Sequence, residues 1–400
     1  MKNIFTILIL LVFLSGCSNE RESFYLFKAG KAKTRLHDYH GAIQDYTKAI
    51  ELNPENAEAY HNRGKAKIFL RDDHKTKMNQ MVRNASDYSK KDLIELMEVI
   101  QIEIDEAIQD YSKAIELNPE NAETYYNRGK AKIFLIDYLN TKMYLMVRKA
   151  SNYDKKDSIE IKKVILVETN EAIKDYTKAI ELDPKYAISY NNRGNAKGLL
   201  RDYDEAIQDY TRAIELNPEN VATYNNRGRA KIFLIDYHGA IQDYDKAIEL
   251  DPKYAISYNN RGNAKRLLGD YDEAIQDYTK VIQLNPKYLD AYNNRGRAKI
   301  LLREYHGAIQ DYSKAIELNP KYAISYNNRG NAKRLMGEYD EAIQDYSKAI
   351  QLSPKYAEAY YNIGIAMYEL NRLNLACLDW SIAGELGYKD AYEMIRKHCN

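Results

Sequence analysis

The chain is poor in several residues that organise most proteins of its size. Its 400 residues include three cysteines, eight prolines, one tryptophan and seven histidines. Three cysteines cannot build a disulfide framework or a four-thiolate metal site, and the scattered histidines show no ligand spacing. No metal and no cofactor is expected. An excess of either charge is also missing, because 59 Lys and Arg stand against 58 Asp and Glu. That balance argues against nucleic acid as a partner and against an acidic disordered tail. The one long apolar run, Ile4 to Leu14, is too short to span a bilayer. No GxSxG, HExxH, P-loop or CxxC pattern occurs, so no enzyme activity is expected.

What is present is repetition. The chain has 37 tyrosines, and 45% of its residues are hydrophobic, enough for a core. The prolines fall on one lattice: Pro54, Pro119, Pro184, Pro218, Pro252, Pro286, Pro320 and Pro354. The step from Pro184 to Pro218 repeats unchanged as far as Pro354, whereas Pro54 to Pro119 and Pro119 to Pro184 are equal to each other and nearly twice as long. One unit runs from Ala187 to Asn220 and carries Tyr190, Gly194, Ala206, Tyr210, Ala213 and Pro218. Leu199, Leu200, Tyr203, Ile207, Tyr210 and Ile214 place apolar residues at helical spacing on two helices. Gly194 and Ala206 are small enough to let those helices approach, and Pro218 stops the second one. A single pair cannot bury its apolar face alone, so the units must stack.

This pattern resembles the tetratricopeptide repeat, a helix–turn–helix unit of about 34 residues. Tyr190 stands where that family has Trp, and Tyr210 where it has Phe. Arg193 replaces the usual Leu and Lys197 the usual Tyr. Nine units begin at Ser23, Ala57, Ala122, Ala187, Val221, Ala255, Leu289, Ala323 and Ala357. The resemblance implies an all-α, right-handed α-solenoid with a C-terminal capping helix and two 31-residue helical insertions. The corresponding scheme has a signal peptide at about 1–16, a lipidated tether at about 17–22 and the solenoid at about 23–390. Its insertions lie at about 72–104 and 137–169, and its capping helix at about 391–400. Each insertion falls between the two helices of its unit. Either both helices lengthen into a protruding hairpin of about 22 Å, or a further helix pair is inserted.

In the implied solenoid the first helices line the concave surface. The residue two before each glycine is Asn62, Asn127, Asn192, Asn226, Asn260, Asn294, Asn328 or Asn362. This series resembles the asparagine ladder with which some members of the family grip an extended peptide, since an amide donates and accepts as a peptide unit does. Arg229, Arg266, Arg297 and Arg334 add positive charge, which favours acidic segments or a C-terminal carboxylate. Repeat copying without a ligand would leave the same asparagines. The arginine before each glycine, Arg193 in the unit above, is assigned a structural partner: the Asp preceding the buried aromatic, here Asp209.

Two further features concern the ends. Lys2, the apolar run and the ending Leu14-Ser15-Gly16-Cys17 resemble a bacterial lipobox. The resemblance implies cleavage before Cys17, its acylation, and anchoring to a membrane of the cell envelope, with Ser18 favouring the outer membrane. Cys377 and Cys399 lie equally far from Tyr388, which suits a disulfide across an antiparallel hairpin; a reduced apolar pair is the alternative. The function expected is a peptide- or protein-binding scaffold of the envelope. A structural spacer and a regulatory subunit of an envelope enzyme are the rivals.

Overall fold

The computed structural model describes the backbone of residues 2–83, 90–149 and 155–399. Side chains are described from residue 19 onward, apart from 79, 82–83, 90–91, 93, 144–149 and 155. The described residues form 19 helices and no strand. They divide into two compact units, Met1–Pro218 and Glu219–Asn400.

The first unit holds α1 (Lys2–Arg35), α2 (Tyr39–Leu52), α3 (Ala57–Arg83), α4 (Lys90–Leu117), α5 (Ala122–Lys149), α6 (Lys155–Leu182), α7 (Ala187–Leu199) and α8 (Tyr203–Leu216). The second holds α9 (Val221–Phe233), α10 (Tyr237–Leu250), α11 (Ala255–Leu268), α12 (Tyr271–Leu284), α13 (Leu289–Leu301) and α14 (Tyr305–Leu318). It continues with α15 (Ala323–Leu335), α16 (Tyr339–Leu352), α17 (Ala357–Glu369), α18 (Leu373–Glu385) and α19 (Lys389–His398). In each unit a helix packs on its hairpin partner and then on the first helix of the next hairpin. Successive first helices also touch, as α9–α11, α11–α13, α13–α15 and α15–α17 do, which puts them on the inner side of their stack.

One aromatic side chain per hairpin is almost fully buried. Tyr46, Tyr111, Tyr176, Tyr244, Tyr278, Tyr312, Tyr346 and Trp380 are all under 2% exposed. Small residues surround each of them. A Cβ built on Gly228 would stand 2.8 Å from the Tyr244 ring, so alanine there would push the helices apart. The turn inside a hairpin needs one residue in the left-handed region. Gly269, Gly337 and Gly387 supply it in three places, but Arg201, Ile235, Arg303 and Asn371 do so in others at φ of 60–68°.

The 31-residue insertions lengthen both helices of their hairpins. α3 and α5 have 27 and 28 residues, against 13 in α9, so each arm projects about 21 Å further at ~1.5 Å per residue. The turns themselves, residues 84–89 and 150–154, lie outside the described residues. The two arms pack on each other through Met97, Ile100 and Ile104 of α4 against Leu135, Tyr138 and Leu139 of α5. The equivalents of the α4 set in the other arm, in α6, are Lys162, Ile165 and Thr169, and the equivalents of the α5 set, in α3, are Leu70, Asp73 and His74. Of these, Lys162 and Asp73 are exposed, whereas Leu70 and Thr169 are buried, Ile165 packs on the same cluster and His74 pairs with Glu103 of its own arm.

At both ends the helices extend past the bounds read from the sequence. Residues 17–22, assigned as a tether, belong to α1, which runs unbroken from Lys2 to Arg35 because no proline interrupts it. The side chain of Cys17 lies outside the described residues. The capping helix starts at Lys389 rather than 391, directly after the left-handed Gly387 and the N-cap Tyr388. Its far end is held by a disulfide between Cys377 and Cys399, whose Cα atoms are 5.7 Å apart.

Candidate functional site

The first helix of each hairpin brings three sets of polar residues to a regular register, and the structure gives each set a different use. The arginine before the glycine is structural. Arg295 donates from Nη2 and Nε to the Asp311 carboxylate at 2.5 and 3.0 Å, and from Nη1 to Thr279 Oγ1 of the preceding hairpin at 3.0 Å. The same carboxylate pairing joins Arg63 to Asp110, Arg128 to Asp175, Arg193 to Asp209, Arg227 to Asp243, Arg261 to Asp277 and Arg329 to Asp345. The guanidinium also lies over the tyrosine three residues before it, 5.9 Å from the ring centre for Arg295 and Tyr292. Burial alone would lower the pKa of Arg261, but hydrogen bonds to Asp277 and Asp245 outweigh it and hold the group above its ordinary value.

A third member of this cluster escaped the sequence argument. The lysine four residues after each arginine reaches the same carboxylate, as Lys299 does Asp311 at 2.8 Å and Lys231 does Asp243 at 2.8 Å. The signal was visible, since Lys replaces the aromatic residue usual at that position; only the fold shows which carboxylate it meets. Each of these carboxylates therefore meets two cations, an arginine and a lysine one turn apart on the facing helix, whereas Asp45 meets Lys33 alone because Ala29 stands at the arginine position.

The asparagine series is partly consumed by packing. Asn260, Asn294 and Asn362 donate from Nδ2 to Oδ1 of Asn225, Asn259 and Asn327 in the preceding hairpin, at 3.5, 3.2 and 3.0 Å. Those acceptors are buried, and two of them bond onward: Asn225 donates to Ser257 at 2.8 Å, and Asn327 to Glu358 at 3.2 Å. In the first unit Asn192 donates to the Tyr126 hydroxyl at 3.3 Å and Asn62 to the Glu58 carbonyl at 2.7 Å. Asn127 has a buried Nδ2 without a partner. Asn226 and Asn328 are half-buried. Asn192, Asn260, Asn294 and Asn362 thus tie successive hairpins together.

The second arginine set differs from the first. Arg229 and Arg297 are exposed, and Arg266 and Arg334 half-buried. Among the described residues none of the four makes an ion pair, in contrast to Arg227, Arg261, Arg295 and Arg329 beside them. Arg334 donates to Asn331 Oδ1 at 2.8 Å, and the Nε atoms of Arg266 and Arg334 are buried without partners. Exposed apolar side chains recur near them in the sequence, at Phe233 (58%), Leu267 (43%), Leu301 (49%) and Leu335 (39%). Glu358 is an acidic group bonded into the first-helix face, through Asn327.

Two of the histidines are held by neighbouring side chains. His61 is buried in α3, its Nδ1 2.8 Å from Thr124 Oγ1, and His74 pairs with Glu103 at 2.9 Å. The lengthening of α3 converts the turn region of an ordinary repeat into helix and carries His74 into the arm. Among the described residues no group of three His, Cys, Asp or Glu is arranged to hold a metal, and no helix is long and apolar enough to cross a membrane.

A family model described as TPR repeat matches residues 30–67, 99–132, 168–200, 236–266, 302–337 and 330–371, and one described as tetratricopeptide repeat matches 187–220 and 255–288. The chain belongs to the tetratricopeptide repeat family. The repeats of this TPR protein form an α-solenoid, and such repeats typically mediate protein–protein interactions without catalysing a reaction. Over 108 residues it is 32% identical to the BBSome complex member BBS4 of Bos taurus, a match covering 26% of this chain. The chain spans about a fifth (19%) of the length of that curated relative. Among solved structures it is similar to MamA, at 31% identity over 41% of this chain and 96% of that one, with a TM-score of 0.38. Yeast Tom70 matches at 16% identity over 95% of this chain and 89% of that one, with a TM-score of 0.48.

Proposed function

We propose that this TPR protein is a non-catalytic scaffold that binds an extended, acidic peptide segment along the first helices of its hairpins. The observation that carries the reading is the contrast between its two arginine sets. One is neutralised by buried aspartates; the other, with Arg229 and Arg297 at its most exposed points, meets no carboxylate among the described residues. Arginines of this kind favour a partner that brings carboxylates, and the neighbouring Phe233, Leu267 and Leu301 add apolar contact area. The asparagines contribute whatever amide capacity the inter-hairpin bonds leave.

The test is a fluorescence titration of matched acidic, neutral and basic peptides, each with a free or amidated C-terminus. Acidic peptides should bind most tightly and weaken as salt is raised. Changing Arg229 and Arg297 together to Ala should lower that affinity about tenfold or more without unfolding the chain, since both side chains are exposed. Equal affinity for all peptides, or an unchanged affinity in the double variant, would overturn the reading.

The proposed location is the bacterial cell envelope, with lipid attached at Cys17 and the outer membrane as the membrane. Its support is the Leu14–Cys17 lipobox resemblance. Cys17→Ser should abolish acyl labelling and release the protein from the membrane fraction; a variant that stays there with unchanged mass would refute the anchor.

A further inference from the structure

Lengthening α4 and α6 leaves part of each helix packed on one side only. Met97, Ile100 and Ile104 of α4 and Ile161 and Ile165 of α6 join one core with Leu135, Tyr138 and Leu139 of α5. The opposite side of each helix is turned outward. Ile94, Val99 and Ile102 of α4, and their equivalents Ile159, Val164 and Val167 of α6, are between 39% and 57% exposed. Leu166 adds a fourth apolar side chain on α6. The second helices of ordinary hairpins differ. Among the described residues, α8, α10, α12, α14 and α16 expose no large apolar side chain, and the outward positions of α8 hold Asp204, Glu205, Gln208 and Arg212.

The charges beside the two apolar stripes differ in sign. α4 exposes Asp92, Glu95, Glu98 and Glu106 and has no cation between the first and the last of them. α6 has the exposed Lys162 and Lys163 at the positions of Met97 and Glu98, next to Glu160. Among the described residues Glu98, Lys162 and Lys163 make no ion pair, whereas Glu103 and Glu171 on the same helices do. Exposed apolar patches rimmed by charge mark interaction surfaces. The acidic strip on α4 disfavours an anionic bilayer as the occupant. A two-fold axis along the arms supplies the missing complement, because it sets α4 of one copy over α6 of the other, and does so twice.

We propose that two copies of this chain pair through the outer faces of their arms. α4 of each copy lies on α6 of the other, burying Val99, Ile102, Val164 and Val167 between them, with Glu95 and Glu98 toward Lys162 and Lys163. The four helices enclose an apolar seam, as in a helix bundle. The contact uses second helices only, so it is separate from the first-helix surface proposed for peptides.

Sedimentation equilibrium of the full chain, at concentrations up to about 100 μM, tests the proposal. A monomer–dimer equilibrium is expected. Ile102→Asp with Val167→Asp should weaken it about tenfold or more, and both positions are exposed, so the fold should persist. Reversing the acidic pair (Glu95→Lys, Glu98→Lys) should weaken it about as much, and so should reversing the basic pair (Lys162→Glu, Lys163→Glu). All four reversals in one chain should restore the affinity to within about threefold, because each copy then meets its complement again. All variants share one N-terminus, so the differences between them report on the arms. A monomer throughout the range overturns the proposal. So does a dimer indifferent to Ile102→Asp with Val167→Asp, or, should that variant fail to fold, one that the four reversals together do not restore. A monomeric chain that sediments with phosphatidylglycerol vesicles, and ceases to do so when Lys162 and Lys163 are reversed, would assign the face to lipid and overturn it as well.

Discussion

Changing Asp311 to Asn asks what one buried carboxylate contributes to a stack built from repeated copies. The side chain is 4% exposed and accepts from Arg295 at 2.5 Å and Lys299 at 2.8 Å, with those side chains 18% and 17% exposed. Asparagine fits the same space but loses the charge and one acceptor, and turns N–H groups toward a cation. Breaking a buried pair by removing one partner costs about 3–5 kcal/mol. Partial access of both cations to water favours the lower end, about 3 kcal/mol. Stability in a repeat array is a sum of local terms, so the loss should concentrate near α13 and α14. Hydrogen exchange followed by mass spectrometry should show roughly a hundredfold faster exchange in those helices, with α9 and α10 little changed. Combining Asp311→Asn with Arg295→Leu should cost less than the sum of the single changes by at least about 1 kcal/mol, because the second change removes the stranded guanidinium. A single-variant loss below about 1 kcal/mol, or strict additivity, would show that the repeated Arg–Asp–Lys clusters are not what holds neighbouring helices in register.

Burial raises the Asp379 pKa to about 6, so the folded chain holds that proton more tightly than the unfolded one. The stabilisation this gives is complete below about pH 4 and is lost as pH rises through 6; Asp379→Asn should therefore stabilise the chain at pH 7 by about 1 kcal/mol, after discounting for partial exposure, and be neutral at pH 4 in urea titrations at both values. Reducing the Cys377–Cys399 bridge, which spans a sequence separation of 22, should remove about 3 kcal/mol of local stability. Hydrogen exchange would then accelerate in α19 while α11 and α12 stay protected, and unchanged protection of α19 would exclude a clamping role. Ile235 is a β-branched residue at φ 64°, and Ile235→Gly should raise the midpoint of thermal unfolding by relieving about 1 kcal/mol of strain. A lower midpoint would place that turn outside the left-handed region. Tyr278, pushed up to about 12 by burial, should remain protonated at pH 11, where exposed tyrosines ionise; its equivalents in the other hairpins share that burial, so absorbance titration should reveal a second, unfolding-linked step.

The sequence by itself determined the repeat, because its period is written in residues with local consequences. Pro218 ends a helix wherever it falls, and Gly194 admits a tyrosine ring whichever hairpin it belongs to. The partner of Arg193 was legible for the same reason: Asp209 follows it within one hairpin, and the register of two antiparallel helices fixes their meeting. Helix length in the insertions was not legible, since an extended arm and an extra helix pair satisfy the same apolar spacing and parity. Packing of α4 on α5 decided between them, burying Met97, Ile100 and Ile104 on side chains of the next hairpin. Nor did the pattern show what separates Asn259 from Asn260: both belong to repeated series, although His61, Tyr126 and Tyr361 interrupt the first. The tertiary structure buries the first and makes it the acceptor of Asn294 in the next hairpin, while the second donates to Asn225 in the hairpin before. Arg71 was likewise indistinguishable from Arg201 along the chain. One is buried and the other exposed because exposure depends on which neighbouring helix covers a residue, and that cover comes from chain distant in sequence.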